Sequence, residues 1–205
     1  MKKLFFAFIV LIFCACGSSK KKVTDTGNGK EAPLEQRLAD FMKVNDEMDF
    51  EKVMDYTYPK LFTLAPREQL VKVMKDAFSS EEVKIELDSM RVDTVFAVFK
   101  IGDGSYAKVR YSMNMLMTLE NDKDSAAADD SGVDYVLLSI AEKYGSENVS
   151  KDLKTGVIKI RNTSDMVAVK DEYAKEWSFV NLNKEDPMIN KLFSKEVLDK
   201  LDTYN

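Results

Sequence analysis

Met113, Met115 and Met117 recur at intervals of two, which places three thioether sulfurs on one face of a strand. Soft thioether sulfur suits Cu(I), so the stripe is a candidate copper site. The same face also carries Val109, Tyr111 and Leu119, and the chain's 11 methionines are widely spread. That pattern fits methionine as an adaptable filler of irregular cores. Core packing, or the lining of a pocket by Tyr111, Met113, Met115 and Met117, is therefore expected ahead of copper. Asp93 carries the one enzymatic expectation. It follows Arg91 and precedes Val95, Ala97 and Phe99 at strand spacing. A carboxylate beside an apolar cavity has its pKa raised and can act as a general base. The competing expectation is an ion pair with Arg91 at a strand end.

Other spacings carry less. Asp122, Asp124, Asp129 and Asp130 offer oxygen ligands to a hard cation, but Ala126 to Ala128 interrupt the series a calcium loop requires. Ser18/Lys21 and Ser19/Lys22 match S-x-x-K, a spacing some serine acylases use, without a helix to align them. Gly27-Asn28-Gly29-Lys30 lacks the upstream glycine and the Ser/Thr of a phosphate loop. The chain has no histidine, which removes Ser-His and Cys-His catalysis and imidazole metal sites. Its two cysteines, Cys14 and Cys16, both lie near the N-terminus, so the body has no disulfide, thiolate nucleophile or cysteine zinc site. No resident metal or cofactor is expected.

Residues 1–19 read MKKLFFAFIVLIFCACGSS. Lys2 and Lys3 precede an apolar run from Leu4 to Phe13, shorter than the roughly 20 residues a membrane span needs. Small residues follow. This segment resembles a bacterial lipoprotein signal peptide, in which a cysteine becomes the first mature residue and carries the lipid. Cys16, preceded by the small Ala15, is the better acceptor, because Cys14 follows the bulky Phe13. The alternative is a plain secretory cut after Ala15, which would leave Cys16 as an exposed thiol in an oxidising compartment. The resemblance implies a cell-envelope protein, lipid-anchored to the outer membrane and facing the periplasm, with residues 1–15 removed.

Residues 16–32, CGSSKKKVTDTGNGKEA, have the composition of a flexible tether. The chain holds 30 basic and 35 acidic side chains, and loss of Lys2 and Lys3 takes the net charge from −5 to −7. An acidic body argues against nucleic acid and against a basic membrane-surface helix. The expected partners are the membrane, through the lipid, and a small ligand or an envelope protein.

Residues 33–205 read as one domain. Leu34, Leu38, Phe41 and Met42 mark an amphipathic helix; Asp49 caps a second helix that stops near Tyr58-Pro59; Pro66 fits the first position of a third. The period then changes to two at Val83, Ile85 and Leu87. Val92 to Ile101 is nearly continuous apolar sequence, expected to form a strand covered on both faces. Gly102-Asp103-Gly104 is a hairpin turn, and odd residues from Ala107 to Leu119 should face the core while Lys108, Arg110, Ser112, Asn114 and Thr118 reach water. A polar loop spans residues 120–134, a helix 135–144, and short strands lie near 157–161, 166–170 and 177–182 before a C-terminal helical region. Helices followed by mostly antiparallel strands make an α+β fold.

Three leading helices, the long hairpin at Gly102–Gly104 and the late strand WSFVNL together resemble the NTF2-like (cystatin-like) superfamily over residues 35–183. That resemblance implies N-terminal helices closing the concave side of a curved sheet. It also permits an isomerase or dehydratase using a pocket carboxylate such as Asp93. The leading expectation is a non-catalytic binding domain.

Overall fold

The structure, a computed structural model, describes residues 32–80, 82–119 and 131–204. The leader with Cys16, most of the tether and the carboxylates Asp122, Asp124, Asp129 and Asp130 lie outside the described residues. The first helix, α1 (Leu34–Asp46), buries Leu34, Leu38, Phe41 and Met42. Asp49 caps α2 (Phe50–Tyr56) by accepting a 3.1 Å hydrogen bond from the Lys52 amide. Pro59 then opens a short 3₁₀ turn, and α3 (Arg67–Phe78) follows with Pro66 at its N-cap, one place before the expected first helical position.

Six strands form one antiparallel sheet: β1 (Val83–Val95), β2 (Phe99–Ile101), β3 (Gly104–Leu119), β4 (Val149–Lys151), β5 (Ile158–Lys170) and β6 (Ser178–Asn181). The long strands β3 and β5 lie side by side at its centre. β1 and β2 flank β3 in succession, and β6 and β4 share the far edge of β5. Helix α4 (Ser131–Tyr144) is inserted between β3 and β4, and α5 (Ile189–Leu192) and α6 (Lys195–Asp202) end the chain. The fold is α+β, with N-terminal helices on one face of the sheet. No described helix is long and apolar enough to cross a membrane.

The hairpin is as the sequence predicts: Ile101 pairs with Gly104 across Gly102 and Asp103, and Gly102 takes φ 57°, which glycine adopts without Cβ strain. Alternation on β3 also holds. Ala107, Val109, Tyr111, Met113, Met115 and Met117 are all buried on the helix side, with Phe41 of α1 stacked on Phe179 of β6 at 4.7 Å.

Three sequence expectations are corrected. The strand from Val92 to Ile101 does not exist as one element: β1 ends at Val95, β2 starts at Phe99, and the residues between are half-buried or exposed. The two short strands near 157 and 166 are one 13-residue strand, β5, whose polar middle RNTSD bonds to β3 throughout. Helix α4 begins at Ser131, four residues before its apolar run. Bulges between Leu87 and Ser89 and between Val92 and Thr94 each add one residue to β1 and reverse its alternation. The core-facing set is therefore Val83, Ile85, Leu87, then Met90 and Val92, then Val95.

The C-terminus covers the opposite face of the sheet at the hairpin end. Tyr204 meets the rings of Phe96 and Phe99 at 5.5 and 6.1 Å, and Phe193 meets Tyr106 edge-on at 6.2 Å. Val167 and Val169, on that face of β5, are consequently buried.

Candidate functional site

Cross-strand register places the methionine stripe in the core. Met113 lies opposite Met90, Met115 between Leu87 and Ile160, and Met117 between Ile85 and Ile158. All three methionines are at most 6% exposed and belong to one hydrophobic cluster. Burial in that cluster is the arrangement of core packing. Among the described residues no group of three or more cysteines, aspartates and glutamates could hold a metal ion.

The helix-side face is not uniformly apolar. Tyr111 lies opposite Ser164, Met113 opposite Asn162, and Asn181 of β6 opposite Met166. The Tyr111 hydroxyl points to Asn181 Oδ1 at 3.5 Å, and Asn162 Nδ2 donates to Ser164 Oγ at 3.2 Å. Asn162, Ser164 and Asn181 are half-buried, whereas Tyr111 is completely buried. These four polar side chains sit together where strand alternation otherwise supplies Met, Val, Ile and Ala.

The sheet edge opens beside them. β4 pairs with β5 over Ile158–Ile160 and β6 pairs with it over Met166–Val169. Between the two, among the described residues, only the Leu182 amide reaches that edge, donating to Asp165 O at 2.9 Å. Asn162 and Ser164 project from the interrupted stretch. Small-molecule sites combine an apolar lining with a few convergent hydrogen-bonding groups, and this face carries both.

Asp93 lies on the other side of the sheet. The second bulge turns its carboxylate to the outer face, away from Val95, where it pairs with Arg91 at 3.0 Å and accepts a hydrogen bond from Ser112. The apolar cavity expected beside it is absent from its surroundings, because the inserted residue inverts the alternation on which that expectation stood. The Arg91 pairing weighed against it is present. Ser112 in turn bonds Thr163 Oγ1 at 3.1 Å, and Asn114 Nδ2 donates to Ser89 Oγ at 2.8 Å, so a row of short polar side chains crosses β1, β3 and β5.

Nearer the C-terminus, a second carboxylate organises the outer face. Asp165 receives Arg110 Nε at 2.9 Å, Arg110 Nη2 at 3.2 Å and Lys108 Nζ at 2.8 Å. Burial alone would raise the Asp165 pKa, but the hydrogen bonds from Arg110 and Lys108 outweigh it and hold the carboxyl below its ordinary range. Lys108 was expected to reach water. Instead its side chain is only 5% exposed, covered by the C-terminal segment, and it also donates to the Tyr204 carbonyl at 2.7 Å. Tyr58 is tied down similarly: its hydroxyl donates to Asp171 Oδ2 at 2.6 Å, and burial together with that bond raises its pKa strongly.

Sequence reading misses Asn162 and Ser164, because their polar run looks like a break between two strands, and it assigns no role to Asn181 within the expected strand near 177–182. Periodicity of two carried back from Ala168 and Met166 places Ser164 and Asn162 on the core face. It also passed over Leu116, the one apolar residue among the outward-facing Ser112, Asn114 and Thr118. Comparison with known proteins adds no relative: no family model, no curated protein and no solved structure matches this chain.

Proposed function

We propose that this is a lipid-anchored protein of the bacterial cell envelope whose α+β domain, of the NTF2-like kind, binds a ligand without transforming it. The observation that carries the binding reading is the set Tyr111, Asn162, Ser164 and Asn181, grouped on the helix-side face beside an interrupted sheet edge. Placing polar side chains on core-facing strand positions costs stability unless they are satisfied. A ligand with a neutral hydrogen-bonding group and an apolar body suits these groups, since none of the four is charged at neutral pH. Helices on one face of a sheet whose first long strand carries two bulges support the NTF2-like layout. The leader, ending in Ala15-Cys16, supports the lipid anchor.

The enzymatic alternative built on Asp93 draws no support from its surroundings, because Arg91 and Ser112 hold that carboxylate on the outer face. The copper alternative draws none from Met113, Met115 and Met117, which are buried within the hydrophobic core cluster.

Native mass spectrometry of the full chain, purified from bacterial membranes in mild detergent, tests both parts of the reading. The mature chain should begin at an acylated Cys16, and Cys16→Ser should remove the lipid. A co-purifying small molecule on the wild type should be lost in Asn162→Leu/Ser164→Ala. An unlipidated N-terminus elsewhere refutes the anchor. Identical ligand-free spectra for wild type and variant, together with unchanged melting when candidate neutral amphiphiles are added, refute the inner-face site.

A further inference from the structure

The outer face carries a separate groove at the end of the sheet remote from the C-terminal helices. Its cavity of about 190 Å³ is lined by Asp88, Asn114, Leu116, Glu147, Lys159 and Arg161, among others. Register fixes the arrangement. Asn114 stands between Ser89 of β1 and Arg161 of β5, and Leu116 stands between Glu86 and Lys159. The first β1 bulge, at Asp88, sets a carboxylate on one wall, while β5 sets Arg161 and Lys159 on the other.

We propose that this groove binds a small zwitterion of amino-acid to dipeptide size, its carboxylate on the Arg161 side and its ammonium group on the Asp88 side. Three features point there. First, among the described residues Asp88 and Arg161 have no ion-pair or hydrogen-bond partner, whereas Asp93 and Asp165 on the same face are both engaged by cations. Second, β1 and β5, the strands that carry the two walls, run two strand spacings apart, about 10 Å. With a charge-assisted hydrogen bond of about 2.8 Å at either end, one residue of about 3.5 Å spans about 9 Å and two residues about 13 Å, lengths that bracket this separation. Third, Leu116 gives the floor an apolar spot in an otherwise polar row, suited to a short aliphatic side chain. Asn114 is held by its 2.8 Å bond to Ser89, which leaves its carbonyl oxygen to accept from a ligand N–H. The inference is independent of the inner-face site, since it uses the opposite face of β3 and β5.

The test is amide shift mapping of the full mature chain in detergent with three probes: L-alanyl-L-alanine, its N-acetyl derivative and its C-terminal amide. The free dipeptide should move the amides of Asp88, Asn114, Leu116 and Arg161. Blocking either terminus should weaken binding about fivefold, near the upper end for a solvent-accessible ion pair. Arg161→Gln should weaken the free dipeptide by a similar factor and abolish discrimination against the amide. Asp88→Asn should abolish discrimination against the acetylated probe. Both sites are exposed, so the variants should retain the wild-type spectrum elsewhere. Equal affinity for all three probes overturns the zwitterion assignment. Unmoved groove amides overturn the site itself, and shifts confined to Tyr111, Asn162 and Ser164 do so while leaving the inner-face reading standing.

Discussion

Asp165→Asn separates the two carboxylate clusters of the outer face by the burial of their cations. The substitution keeps size and one acceptor oxygen but removes the charge facing Lys108 Nζ at 2.8 Å and Arg110 Nε at 2.9 Å. Arg110 is partly exposed and can turn to water. Lys108 cannot: its side chain is 5% exposed, and its remaining partners are the Tyr204 carbonyl at 2.7 Å and the Phe96 ring at 5.6 Å. Removing one partner of a buried ion pair costs about 3–5 kcal/mol, and the rim position of Asp165, 21% exposed, favours the lower end. For a domain of this size about 3 kcal/mol lowers Tm by about 6–12 °C. Asp93→Asn breaks a pair whose arginine is 59% exposed and should cost no more than about 1 kcal/mol. Adding Lys108→Met to Asp165→Asn should restore part of the loss, since no unpaired ammonium remains. The pH dependence has a definite sign. Asp165 is held below its ordinary pKa in the fold, so its contribution is complete above about pH 4 and is lost as pH falls through the depressed native value. Thermal melts by circular dichroism from pH 7 to pH 2 should therefore show a shallower acid limb in Asp165→Asn than in the wild type. Equal melting of Asp165→Asn and Asp93→Asn at pH 7, or an unchanged acid limb, would refute the assignment of Lys108 as a buried, Asp165-dependent cation.

Met113→Asp buries an unpaired carboxylate and should destabilise by several kcal/mol, whereas Asn114→Asp on the wet face should stay within about 1 kcal/mol; urea midpoints distinguish the two, and comparable midpoints reverse the face assignment. Gly104→Ala should cost about 1–3 kcal/mol, because a Cβ there meets Tyr106 Cζ at 2.6 Å and that ring is packed against Phe99 and Phe193; a variant as stable as wild type in a thermal melt contradicts this contact. Tyr58→Phe should flatten the alkaline limb of stability. The native hydroxyl is kept protonated by burial and by Asp171, so the wild type loses that contribution as pH rises beyond about 10, and a variant with the same alkaline limb shows that Tyr58 does not set it.

Legibility in the sequence followed solvent exposure. β3 was readable because one face meets the core and the other meets water along most of its length, so residue type reports side directly. β5 was not, because Asn162 and Ser164 face inward while Arg161, Thr163 and Asp165 face outward, leaving five polar residues in a row on a continuous strand. Apolar periodicity vanishes there although the backbone ladder does not. β1 failed for a different reason. Its two bulges reverse the phase twice, so an extrapolation from Val95 placed Asp93 on the wrong face.

By itself, the amino-acid sequence determined what the chain lacks, namely histidine and any body cysteine, and it determined the helix caps, the hairpin and the order of helices before strands. These are local matters: composition, a turn needing glycine, a cap needing an aspartate. Tertiary structure decided the rest. Lys108 is buried because a carbonyl 96 residues later closes over it, and the Asp165 carboxyl is held below its ordinary pKa because Arg110 and Lys108 on the neighbouring strand outweigh its burial. The groove between Asp88 and Arg161 exists because β3 separates two strands some seventy residues apart in the chain. Such properties depend on which distant side chain fills the space around a charge, and short-range spacing carries no record of it.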